Sequence, residues 1–104
     1  MALIINQAIT TREGFSVPSG TLVKFNTQFP QDSYDVHYNM KFYRNEDSYN
    51  NGESNYFPNN LNSMGYVETV PLNEYTGLTP TVVNQKLKDY LSGIYTGGTI
   101  DIVL

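Results

Sequence analysis

The chain has 104 residues, no cysteine, a formal net charge of −4 and only 15% charged side chains. That length suits one domain and not two, and without cysteine there is no disulfide framework, thiolate metal site or cysteine nucleophile. A pI near 4.6 argues against nucleic acid, which calls for a basic stripe, and no run approaches the roughly 20 apolar residues of a membrane span.

Hydrophobic residues make up 39% of the chain, so it belongs with folded proteins. Its aromatic content is nine Tyr, five Phe and no Trp, and Asn is frequent. Amides and hydroxyls enter a contact without the desolvation cost of an ion, and Tyr adds area at low entropy cost. Such a composition suits a protein surrounded by other proteins, although a codon bias toward Asn and Tyr accounts for it equally well. The opening Met-Ala-Leu-Ile-Ile-Asn-Gln has neither the basic lead nor the long apolar core of an export signal. The expectation is a soluble protein made in a cytoplasm.

Ala2 to Ile5 is a short apolar run that Ala8 to Thr10 could continue. A strand there must pair with its own domain or with a neighbouring molecule. Leu3, Ile4 and Ile5 together would make a sticky edge, so they are candidate interface residues of an arm given to a neighbour. Arg12-Glu13-Gly14 reads as a turn, Phe15 to Val17 as a short extended piece, and Pro18-Ser19-Gly20 as a tight reversal. Thr21 to Asn26 is a strand with Val23 and Phe25 on one face and Lys24 and Asn26 on the other, and Phe29 to Asp32 is a connection.

Ser33 to Tyr43 is the longest alternation in the protein. Tyr34, Val36, Tyr38, Met40 and Phe42 fall on one side and Asp35, His37, Asn39 and Lys41 on the other. A period of two means a strand with one covered face, and this one is expected to be central. From Arg44 to Ser63 the only aliphatic residue is Leu61. A polar stretch of this length is a long functional loop or, around Asn51-Gly52, a protruding hairpin. Tyr49, Tyr56 and Phe57 are its candidate contacts.

Gly65 to Val70 resumes strand character and ends at Pro71. One helix follows: Thr79 caps it, Pro80 fits its first position and Leu78 staples to Val83. Val83, Leu87, Tyr90, Leu91 and Ile94 form its apolar stripe, with Asn84, Gln85, Lys88, Asp89 and Ser92 opposite. Gly93, or Gly97-Gly98 a turn later, ends it, and Thr99 to Leu104 is a last strand. The fold class is therefore α+β and mainly β, a small antiparallel sheet or sandwich with one C-terminal-half helix packed on it. It forms a single domain over 1–104 with a polar excursion at 44–63.

Chemistry-bearing motifs are sparse. His37 is the only histidine, with no nucleophile and orienting partner to make it a general base. Setting Gly52 at the glycine of an EF-hand loop puts Tyr49 and Pro58 where ligands are required, so that motif fails; an irregular oxygen site of Asp47, Asn51 and Glu53 is the remaining option. Gly93, Gly97 and Gly98 do not make a phosphate loop. No catalytic, cofactor-binding or metal-binding residue is assigned, no cofactor is called for, and the chain is not expected to be an enzyme.

The stretches Asn39-Met-Lys-Phe-Tyr-Arg44, Asn73-Glu-Tyr-Thr-Gly-Leu-Thr79 and Lys88-Asp-Tyr-Leu91, in a short cysteine-free chain rich in Asn and Tyr, resemble small virion proteins of tailed phages of Bacteroidetes, the crAss-like group included. The resemblance implies a structural role without catalysis, on the head surface as an auxiliary, cement or fibre-linked subunit, with a head–tail connector or tail component as the neighbouring option. It implies other virion proteins, capsid subunits among them, and further copies of itself as partners, in a virion assembled in the bacterial cytoplasm. No functional residue is carried over, because no motif carries one. The competing class is a monomeric carbohydrate- or protein-binding β module whose loop is the 44–63 excursion.

Overall fold

The computed structural model describes residues 2–29 and 34–103. Its main element is a five-stranded antiparallel sheet built from β1 (Ala2–Asn6), β4 (Thr21–Gln28), β5 (Asp35–Tyr43), β6 (Gly65–Thr69) and β7 (Thr99–Val103), in the order β6-β5-β4-β1-β7. A second sheet pairs β2 (Ile9–Thr10) with β3 (Ser16–Val17). The Arg12–Gly14 turn between them closes with Gly14 at a φ of +94°, a region that favours glycine. The last strand is described to Val103, and Leu104 lies outside the described residues, as does the Pro30–Asp32 part of the expected connection.

The alternation in β5 places Val36, Tyr38, Met40 and Phe42 in the core as expected. Tyr34 leaves that row: it precedes the strand and is exposed. The middle position belongs to β4, not β5, because β1 continues the sheet beyond β4 and draws β7 in after it. Leu3 pairs with Val23 on one side and Ile102 on the other, and Ile5 pairs with Thr21 and Ile100. Cross-strand partners share a face, so these residues join Phe25 and the β5 row on one inner face.

That face is covered by α3 (Pro80–Ser92). Thr79 accepts a hydrogen bond from the Val82 amide at 3.3 Å, and Pro80 opens the helix. Val83, Leu87 and Leu91 are buried, with Tyr90 and Ile94 half-buried beside them. Asn84 departs from the expected polar face. It is buried, and its amide has no hydrogen-bond partner among the described residues. Tyr38 donates to the Val83 carbonyl at 3.3 Å, and its ring lies 5.7 Å from that of Tyr66, which stacks on Tyr90 at 3.7 Å. An aromatic column thus ties β5 and β6 to the helix.

Two short helices were not read from the sequence. The first, α1 (Glu46–Asn50), is capped by Asn45, whose side chain accepts from the Ser48 amide at 2.7 Å. It ends with Gly52 at a φ of +73°, Gly52 N–H bonded to the Tyr49 carbonyl at 3.1 Å and Glu53 N–H to the Ser48 carbonyl at 3.0 Å. That pair of bonds is a Schellman cap. Asn51-Gly52 therefore closes a helix instead of a hairpin turn, which would need a positive φ at Asn51, whereas Asn51 sits at −84°. The second, α2 (Leu72–Tyr75), follows Pro71, and its Glu74 pairs with Lys86 of α3 at 2.6 Å.

Burial raises the phenol pKa of Tyr38, Tyr56 and Tyr95, that of Tyr56 to about 12 despite an opposing hydrogen bond with Thr21. Ionising a buried phenol costs more than ionising an exposed one, so these groups stabilise the fold fully below the ordinary phenol value of 10.0. That contribution is lost as pH rises through the folded values. In an alkaline titration, Tyr38, Tyr56 and Tyr95 should ionise only together with the loss of the far-UV circular dichroism signal. Ionisation of these three near the ordinary phenol value of 10.0 with the fold intact would contradict the packing.

Candidate functional site

The six residues expected at an interface separate sharply. Leu3 and Ile5 are buried in the chain's own core, and Ile4 is half-buried on the outer face between Leu22 and Asp101. An arm held out to a neighbour is thus not what the structure shows, because both edges of β1 are already paired within the chain. The apolar run is explained by burial inside the sheet.

The 44–63 excursion folds back onto the body. The Tyr56 amide donates to the Phe42 carbonyl at 2.8 Å, its hydroxyl lies 2.6 Å from that of Thr21, and its ring meets Phe42 edge-on at 6.0 Å. Phe57 lies under the Arg12 guanidinium, 3.7 Å from the ring centre. Leu61 is buried, and Asn60 accepts a hydrogen bond from the buried Tyr95 at 2.9 Å. Of the three aromatic residues, only Tyr49 stays largely open, 39% exposed.

Glu53 of the irregular oxygen site is turned toward Arg44, with which it forms an ion pair. Among the described residues no three His, Asp or Glu side chains gather to hold a metal ion. His37 is half-buried on the outer face of the sheet, opposite Gln28 and Val67. Among the described residues no helix is long and apolar enough to cross a membrane.

Two surfaces stand out instead. At one end of the sheet, where β4 finishes and β5 begins, Phe29, Tyr34 and Leu72 are 46%, 48% and 53% exposed. Phe29 and Tyr34 both pack against Tyr75 of α2, at ring separations of 6.1 and 5.6 Å. A groove of about 180 Å³ beside them is lined by Thr27, Phe29, Leu78, Thr79, Pro80 and Val83. An isolated exposed ring such as Phe15 needs no explanation, but two exposed rings packed on Tyr75, with Leu72 of the same helix exposed, beside an apolar groove are a candidate contact surface. The sequence alternation assigns Tyr34 to the covered row of β5, so it gives no sign of this surface. Leu72 faces outward and Tyr75 receives the two rings only once α2 has formed, which no local pattern announces.

The second surface is the outer face of β4 and β5. Register sets Lys24 opposite Lys41, Asn26 opposite Asn39 and Leu22 opposite Tyr43. With Tyr49 as a wall, Lys24, Asn26, Asn39, Lys41 and Tyr43 line an open trough of about 300 Å³. The Tyr49 ring meets Tyr43 edge-on at 5.0 Å, and the Lys24 ammonium lies 5.0 Å from its centre.

Comparison with known proteins gives no match: no family model, curated protein or solved structure is significantly similar to the chain.

Proposed function

We propose that the chain is a non-enzymatic structural subunit, present in repeated copies in a protein assembly and joined to its neighbours through the aromatic end at Phe29, Tyr34, Leu72 and Tyr75. The supporting observation is the cluster itself. Phe29, Tyr34 and Leu72 keep about half their surface in water, although an acidic chain of this size has ample polar side chains for that end. Buried aromatic anchors of this kind carry most of the energy of an interface. Repetition by symmetry lets modest interfaces hold a large particle together.

The resemblance to small virion proteins of tailed phages of Bacteroidetes supplies the setting: the head surface, as an auxiliary, cement or head-fibre subunit against capsid proteins, or else the connector or tail. Light scattering on the purified protein, followed by co-sedimentation with empty heads of such a phage, tests the reading. The protein should self-associate or sediment with the heads, and a Phe29→Ser/Leu72→Ser variant with unchanged circular dichroism should do neither. A folded wild-type protein that stays monomeric and never sediments with heads would contradict it and favour the monomeric binding module.

A further inference from the structure

The trough on the outer face is an unusual place for charge. Lys24 and Lys41 face each other directly across β4 and β5, an arrangement that destabilises a sheet, in a chain with an excess of acidic residues and only six basic ones. Neither lysine has a carboxylate partner among the described residues, whereas Lys86 pairs with Glu74 and Glu68, and Arg44 with Glu53. Lys24 is half-buried with its ammonium against the Tyr49 ring, and Lys41 is exposed beside it. Two lysines facing each other in register without a carboxylate partner create a place for an anion.

The rest of the lining refines its chemistry. Asn26 and Asn39 sit opposite each other two pairs further along the ladder, next on the same face and both exposed, and Gln28 and His37 follow. Each amide both donates and accepts hydrogen bonds, and so does each tyrosine hydroxyl. A bare sulfate accepts only, and leaves those acceptors idle. A ligand with hydroxyl groups as well as an acid group uses both kinds of partner. The opening, at about 300 Å³, falls at the small end of the ligand-pocket range.

We propose that this trough binds an acidic sugar, its carboxylate held between Lys24 and Lys41 and its hydroxyl groups by Asn26, Asn39 and the Tyr43 and Tyr49 phenols. The site lies on the face of the sheet opposite α3, and the proposal does not rest on the assembly reading.

Calorimetric titration at low ionic strength with an oligogalacturonate, a neutral galactose oligosaccharide of equal length and inorganic phosphate tests it. The oligogalacturonate should bind saturably, and the neutral sugar about tenfold or more weakly. Lys24→Gln and Lys41→Gln should each lose about tenfold, as charge-assisted contacts do. Asn39→Ala should lose less. Because Lys41→Gln relieves a like-charge pair, its Tm should equal or exceed that of the wild type, which separates lost binding from lost folding. No binding of the oligogalacturonate by folded protein, or unchanged binding by both lysine variants, would overturn the proposal. Phosphate binding as tightly as the oligogalacturonate would overturn it too, leaving a simple anion site.

Discussion

Removing residues 1–7 should leave a chain that no longer folds cooperatively. β1 lies between β4 and β7, and among the described residues β7 has no other strand partner, so the deletion takes one strand and orphans a second. Leu3 and Ile5 are fully buried, and each contributes roughly 1.5–3 kcal/mol by burial. Those two side chains alone approach the lower end of the 5–15 kcal/mol by which domains are typically stable. Polar contacts go with them: the Asn6 amide donates to Thr99 and Asp101, and Gln7 accepts from the Gly97 amide at 2.8 Å. The strands also fit closely where β7 begins, since a Cβ on Gly98 would lie 2.0 Å from the Asn6 carbonyl oxygen. Far-UV circular dichroism with thermal melting checks the expectation. A truncated protein that keeps the wild-type spectrum and Tm would show that β1 is dispensable to the fold.

Leu87→Ala should destabilise the protein by about 2–5 kcal/mol, the usual cost of truncating a buried leucine. Leu87 is fully buried, one turn from both Val83 and Leu91 on the stripe that covers the sheet. A helix of 13 residues has little stability of its own in water, so loss at the centre of its buried face weakens the whole inner layer. Urea unfolding measures the effect. A change below about 0.5 kcal/mol would mean that α3 does not carry the core.

The parts of the fold that were legible in the sequence are those set by one segment alone. The alternation from Val36 to Phe42 fixes the inner face of β5 whatever its neighbours do, and Thr79, Pro80 and the stripe from Val83 to Leu91 fix α3 in the same way. Leu3-Ile4-Ile5 is different. Three consecutive apolar residues have no period, so they announce a strand without saying which molecule it joins. Asn84 was placed on the wrong side because its identity argued for solvent while the turn of the helix carried it inward. In the 44–63 stretch, Asn45 and Gly52 were signals for a helix, but α1 has no apolar stripe to connect them. The Lys24–Lys41 pair is a property of two strands in register, and reading either strand by itself does not reveal it. The aromatic end combines residues from β4, the start of β5 and α2, which no local pattern brings together.

The proposed contact surface is most directly tested by hydrogen–deuterium exchange on the free protein and on the protein bound in the proposed assembly. Amides of Ala2–Asn6 should exchange slowly in both states, because β1 is bonded on both edges within the chain. Protection gained on assembly should appear around Phe29, Tyr34 and Leu72–Leu78. Protection gained chiefly in Ala2–Asn6, with the aromatic end unchanged, would contradict this account and restore the donated strand.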